Sequence, residues 1–268
     1  MVALHARRSA ASVRRFRDRH PSRPLVVALT GTDLYGDIET SAEARATLDR
    51  ADRLVVLQEL GLRQLPAHVA DRGRVITQSA QAPPPGPPPD PTAFEVALLA
   101  HLREVKDPFL AAAAVGLLQA SSRIRVVHLG AGRAPGMEER ARAESARNPR
   151  YRWRGGVAHE EALRTLARCR LLVLTSRLEG GANVVTEAIA CSVPVLSTEV
   201  AGSVGLLGED YPGYFPVGDT AALAALLERA ETDTAFLGEL GERGQAMRHL
   251  IDPAEERRRW AALVAELS

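Results

Sequence analysis

The run QAPPPGPPPDP, Gln81 to Pro91, constrains this chain more than any other segment. Proline fixes φ and has no backbone donor, so the run can be neither helix nor central strand. It reads as a stiff, extended connector, although such a run can also decorate the surface of a single domain. As a connector it splits the 268 residues into two parts, each long enough to bury a core. The expected division is an N-terminal domain over 1–81, a linker over 82–91 and a C-terminal domain over 92–252. A closing helix over 253–268 should return toward the N-terminal domain.

On both sides of the connector, short apolar runs alternate with helical patterns. Leu25–Leu29, Arg53–Leu57 and Arg74–Thr77 read as strands. Ser9–His20 and Ser41–Ala51 lie between them as helices, each opened by a serine able to cap. Beyond the connector, strands are expected at 94–100, 124–129, 151–154, 171–175, 194–197 and 214–216. Helices are expected at 108–118, 138–147, 160–168, 184–191, 220–230, 233–251 and 253–267. Such alternation predicts βαβ units and parallel sheets, an α/β fold. Val2–His5 reads as the end of a strand with no partner before it, so the first domain is expected to lack its beginning.

Composition narrows the classes. Apolar residues make up 46% and charged residues 25%, which is globular, and the net charge of +1 gives no pull toward nucleic acid or anionic membrane. Arginine supplies the basic residues except for one lysine, Lys106. Two cysteines make no disulfide framework. With no signal-like N-terminus and no long apolar span, a cytoplasmic protein is expected.

The segment LVLTSRLEGGANVVTEAIACSVPVL, Leu172 to Leu196, carries the densest chemistry. A strand ends at Thr175, a loop holds Glu179, Gly180 and Gly181, and a helix starts near Asn183. The glycines let a ligand approach the backbone. The free N–H groups of Ala182, Asn183 and Val184, with the positive end of the helix dipole, suit a diphosphate. Glu187 lies one turn into the helix on the face of Asn183, within reach of a ribose diol. Glu179 lies at the other end, where a sugar would sit. The alternative is an ordinary βαβ turn with solvated glutamates.

The string EGGANVVTE resembles the E-x7-E motif of retaining glycosyltransferases of family 4. TSRLEGG, EAIACSVPVL and PVGDTAALAALL are similar to that family's neighbouring segments, and the likeness spans most of residues 94–268. It implies the GT-B fold, two Rossmann-like domains with parallel sheets. HLREVKDP, His101 to Pro108, resembles the family's GRLxxxKG, whose arginine and lysine clamp the donor diphosphate. Lys106 falls on the lysine position and His101 on the arginine position. Arg103, two residues later, could supply a bidentate fork. Lys106, Arg103 and Glu179 are therefore the expected catalytic residues. In RWRGGVAHEE the resemblance puts Val157 beneath the base; Trp153 reads as core. Ser192 departs from the family's usual glycine.

More narrowly, HLREVKDP, TSRLEGGANVVTEA and GSVGLLGEDYPGYFPVGDTAALAALL resemble the selenosugar-forming branch of that family. The implied substrates are a UDP-sugar (UDP-N-acetylglucosamine or UDP-glucose) and selenophosphate, with no cofactor and no metal. Acceptor contacts are expected at strand ends of the first domain: His5, Arg7, Thr30, Gly31, Thr32 and Asp33. An ordinary turn with an aspartate cap explains the LTGTDLY segment equally well. Arg8 and Arg177 are further candidate cations for an anionic acceptor. A family-4 transferase with a hydroxyl or thiol acceptor remains open, as does a non-catalytic nucleotide-sugar binder.

Overall fold

The computed structural model describes residues 1–268. A first sheet contains β1 (Val2–Leu4), β2 (Val26–Ala28), β3 (Arg53–Val56) and β4 (Gly73–Val75), parallel and side by side in chain order. A second sheet contains β5 (Phe94–Leu99), β6 (Ile124–Leu129), β7 (Tyr151–Trp153), β8 (Leu171–Leu174), β9 (Val195–Thr198) and β10 (Tyr214–Phe215). Its order is β10-β9-β8-β5-β6-β7, all parallel. This is the doubly wound arrangement, and the winding reverses between β5 and β8. A crevice opens beyond the strand ends at such a reversal.

The helices are α1 (Ala10–Arg19), α2 (Ile38–Thr40), α3 (Ala42–Arg50), α4 (Phe109–Gly116), α5 (Met137–Arg147), α6 (His159–Leu166) and α7 (Asn183–Ala190). They continue as α8 (Ala201–Leu207), α9 (Thr220–Thr232), α10 (Thr234–Ala246) and α11 (Pro253–Glu266). The proline run forms no regular element: residues 76–93 are extended and irregular. None of the helices is long and apolar enough to cross a membrane.

Several helix ends follow local chemistry. Asp219, Asp233 and Asp252 each accept a backbone N–H at the starts of α9, α10 and α11. Ser41 caps α3 through the N–H of Ala44. Ser9 does not cap α1; its hydroxyl donates to the Leu4 carbonyl at 2.6 Å instead. The helix expected over 233–251 breaks at Met247 and resumes as a 3-10 turn over Arg248–Ile251. Four further pieces escape the sequence pattern. A π-helical turn, Asp33–Asp37, runs into α2; 3-10 turns occupy Glu59–Gln64 and Ala67–Arg72; and α8 forms from the glycine-rich AGSVGLL.

Each sheet has its own core. The larger gathers β5, β6, β8 and β9 with α4, α7, α9 and α10 around Val96, Ile124, Leu172 and Leu196. The smaller packs α1 and α3 on one face of the first sheet, around Val13, Leu25, Val27, Leu48 and Leu54. The other face of that sheet is covered from the far end of the chain. Trp260, Leu263 and Leu267, spaced along one side of α11, meet Val26, Ala28, Val55 and Ile76. Glu266 bridges Arg53 and Arg74, and Glu256 accepts from both the N–H and the hydroxyl of Ser79. Thus α11 ties the end of the chain to the first domain.

Candidate active site

The loops leaving β5 and β8 are stitched together at the winding reversal. The Thr175 hydroxyl donates to the Lys106 carbonyl at 2.9 Å, and the Arg177 N–H donates to the Val105 carbonyl at 2.8 Å. The Arg177 guanidinium pairs with Asp107 at 2.6 Å. Asp107 has φ of 40°, a left-handed conformation, at the position where the resembling motif has glycine. This places the single lysine over the crevice. Its ammonium lies 2.5 Å from Glu179, whose carboxylate also accepts from the Ser176 hydroxyl at 2.5 Å.

Helix α7 starts with no side-chain cap, so the Asn183 and Val184 N–H groups face the crevice without an internal acceptor. Glu187 is on the same wall. Burial raises its carboxyl above the ordinary glutamate value, and His159, 3.7 Å away, works against that rise. One cavity of about 640 Å3 joins Lys106, Glu179, Gly181, Ala182, Asn183, Val184 and Glu187 with His101 and Val157. A volume of this order holds a nucleotide sugar.

His101 is exposed at the rim and takes the place of an arginine. Burial first, then the charges of Arg133, Lys106 and Arg103, lower its pKa. Its Nδ1 accepts from the Ala131 N–H at 3.2 Å. Arg103 does not line the cavity; its charge reaches the site only through His101. Trp153 is half-buried, its indole N–H donating to the Gly130 carbonyl. The cavity floor rests on a buried histidine absent from the motif reading. His128 is held neutral, its pKa pushed down to about 4 by burial. Its Nε2–H donates to the Ala100 carbonyl at 2.8 Å, while Nδ1 accepts from the Tyr151 hydroxyl at 2.6 Å.

The first domain lies directly on the Glu179–Gly181 loop. A Cβ on Gly180 would stand 2.5 Å from the Gly31 Cα, so both positions must be glycine for the backbones to touch. Gln58, buried, donates from Nε2 to the Gly180 carbonyl and to the Tyr35 hydroxyl. Of the expected acceptor residues, only Thr30 lines the cavity, joined by Leu57 and Gln78. Asp33 is fully buried. It accepts from the N–H groups of Ala6, Thr30 and Gly31, and so has no oxygen to offer a ligand. His5 is buried against it, with Nε2 on the Thr32 hydroxyl, and Arg7 pairs with Asp37. These residues form a polar knot one layer behind the cavity wall that fixes the loop carrying Thr30 and Gly31. Arg8 also stays off the cavity wall.

Sequence reasoning missed Gln58, Gln78, His128 and His159. His159 lies in the RWRGGVAHEE segment, whose reading stopped at Val157; the other three sit in segments without a local site pattern, and only the fold brings them to the site. No group of three or more His, Cys, Asp or Glu side chains is arranged to hold a metal ion.

A search of curated proteins by sequence finds no match. Solved structures do match in shape. HepE (Alr3699) from Anabaena, crystallised with UDP and glucose, superposes with TM-score 0.80 at 17% identity, covering 99% of this chain and 78% of that one. Sucrose-phosphate synthase from Thermosynechococcus elongatus gives 0.79 at 18% identity over 99% and 73%. An apo OtsA structure gives 0.78 at 14% identity over 100% and 72%. At these identities the likeness carries the fold, which is GT-B. The profile described as "Glycosyl transferases group 1" matches residues 85–247, more than half of the 268 residues. The uncapped α7 N-terminus, its two flanking glutamates and the opposing lysine all fall within that match, and the chain belongs to the group 1 glycosyltransferases.

Proposed function

We propose that this glycosyltransferase moves a sugar from a UDP-sugar, with N-acetylglucosamine or glucose as the sugar, to selenophosphate. The donor diphosphate lies on the α7 N-terminus beside Lys106, the ribose meets Glu187, and the base lies against Val157. HepE, which shares this fold, has been crystallised with UDP-glucose, which supports a uracil nucleotide. Selenium attacks the anomeric carbon as the bond from that carbon to the diphosphate oxygen breaks, and UDP leaves with the electron pair. Water then releases phosphate from selenium, leaving a 1-seleno-sugar. Lys106 stabilises the charge that grows on the leaving phosphate.

One observation carries the choice of acceptor beyond the sequence resemblance. The first domain lines the cavity with Thr30, Leu57 and Gln78, none of which titrates near neutral pH. The titratable groups of the same cavity, His101, His159, Glu179 and Glu187, all stand on the C-terminal domain, so the first domain's wall offers no general base, which an anionic selenium nucleophile needs less than a hydroxyl does. The test is mass spectrometry of products from UDP-sugars with selenophosphate, alongside UDP release with simple alcohols and thiols. A selenosugar product supports the reading. Turnover with an alcohol or thiol and none with selenophosphate overturns it.

A further inference from the structure

A second cavity, of about 510 Å3, opens in the C-terminal domain along β5, β6 and β7, and it shares no lining residue with the donor crevice. It follows from how the sheet is covered. In register, Glu95 of β5 pairs with Arg125 of β6, and Val127 of β6 pairs with Arg152 of β7. Side chains alternate along a strand, so these four share one face. The opposite face is buried, through Phe94, Val96, Ile124, Val126 and Tyr151. A parallel sheet ordinarily buries both faces beneath crossover helices. Here α6 supplies the cover and leaves a hollow along β6 and β7, which Thr165 and Arg168 close from the helix side.

The hollow is lined by arginine where apolar residues would be expected. Five arginines and a single carboxylate, Glu95, surround it, a local charge of +4 in a chain of +1, so the remaining residues sum to −3. Two of the five are occupied. Arg150 donates to the carbonyls of Leu118, Gln119, Ala120 and Ser122 beyond the end of α4, and Arg154 pairs with Glu161. The side chains of Arg125, Arg152 and Arg168 are exposed and make no ion pair or hydrogen bond, although Arg125 lies in the field of Asp90, and they line the same space from a strand, a second strand and the segment after α6. Because nearly every basic residue of this chain is arginine, residue type alone says little. The convergence of three unpaired forks in a concave site is what selects a ligand. Like charges gathered this way repel, and an anion bridging them removes that cost.

We infer that this hollow is a binding site for a small oligophosphate anion, separate from the donor crevice. Each of the three guanidinium groups can take a bidentate pair of phosphoryl oxygens, so together they suit an anion of two or more phosphoryl groups. The size of the hollow fits a small molecule. The net negative charge of the rest of the chain opposes an extended polyanion, which would need a broad positive surface. The inference does not depend on the identity of donor or acceptor.

The test is calorimetric titration of the full chain with tripolyphosphate in the presence of saturating UDP, which keeps the donor crevice filled. Binding is expected in the wild type and in Lys106→Ala. The triple variant Arg125→Gln, Arg152→Gln, Arg168→Gln should weaken it by about a hundredfold or more. Unchanged UDP affinity and melting temperature in the triple variant would show that the fold and the donor crevice are intact, and single variants serve if the triple does not fold. No tripolyphosphate binding to the wild type with UDP present overturns the site, as does equal binding by the variants. Tighter binding of a single-stranded oligonucleotide than of tripolyphosphate, lost in the same variants, also overturns the small-anion reading.

Discussion

Replacing Glu187 by glutamine should make the unliganded protein more stable and its grip on UDP weaker. The carboxylate is largely buried, and its one ion-pair partner is the His159 ring, 3.7 Å away, charged only when protonated and with a side chain 72% exposed. An exposed pair of that kind contributes less than about 1 kcal/mol. Burial outweighs it, because the carboxyl stands above the ordinary glutamate value with desolvation as the leading cause. A raised folded-state pKa means that the native protein binds this proton more tightly than the unfolded chain does. Stability from this group therefore falls as pH rises from the ordinary glutamate value through the raised one. At neutral pH the full penalty is present, and glutamine removes it; well below the ordinary glutamate value the variant should gain nothing. Ligand binding runs the other way. A ribose diol donating to a carboxylate gains about 1.5–3 kcal/mol over a neutral acceptor's absence, or about 10- to 150-fold in Kd. Glutamine keeps one acceptor oxygen, so about tenfold should be lost. In the wild type, UDP affinity should fall as pH drops through the Glu187 range, and in the variant it should not. Thermal melts with and without UDP, and calorimetry across pH 4–8, read both effects, that window being about the glutamate-to-neutral range. A variant that melts lower without ligand and binds UDP as the wild type does would refute the argument on both counts.

Three other outcomes follow from the same geometry. Lys106→Ala should lower kcat for UDP release by about 10²–10³-fold, as when one preorganised donor to a developing charge is removed; steady-state kinetics with unchanged kcat would contradict it. Gly180→Ala puts a Cβ 2.5 Å from the Gly31 backbone. The shift this forces, of about 1 Å, should cost about 10²-fold in turnover, measured beside UDP affinity to separate misalignment from lost donor binding. Ser192 ends α7 with φ of 58°, where Val193 N–H returns to the Ala188 carbonyl and Ser192 N–H to Ile189. Ser192→Gly relieves about 1–2 kcal/mol of left-handed strain, partly offset by the freer unfolded chain, so Tm should rise by about 2 °C in calorimetry.

The residues expected at the donor half were legible as one cluster because they are local to the sequence. Glu179, Gly181, Asn183 and Glu187 lie in one strand–loop–helix unit, so their spacing already places them, and Lys106 stands out as the only lysine. Strand positions were legible for the same reason, since β-branched runs bounded by turns need no distant partner. The acceptor half was not. Asp33 sits where a ligand contact is commonly found, but the three N–H groups that consume its oxygens come from Ala6, Thr30 and Gly31, and no sequence pattern announces a bond to Ala6. Helix α8 was invisible because AGSVGLL has two glycines and a serine in seven residues, which lowers helix propensity. Its backbone is accepted there by packing: Gly202 lies against Glu179, where a side chain would collide.

That last contact bears on how the two halves act together. The Glu179–Gly181 loop meets three surfaces at once. Lys106 and Ser176 hold the Glu179 carboxylate, α8 abuts its backbone, and the first domain reaches it through Gly31 and Gln58. Glu179 engages the ammonium group that, in the proposed reading, also meets a diphosphate. An ammonium carries three donors, so Lys106 can meet a phosphate while keeping Glu179, whose carboxylate the Ser176 hydroxyl also steadies. Movement of the carboxylate is limited by the backbone behind it, which the first domain clamps. Under the proposed reading, donor binding and the seating of the first domain bear on the same few atoms, and any coupling between them is reciprocal. The part of the cavity wall formed by Thr30 and Leu57 is thus held in place by the same loop that carries Glu179.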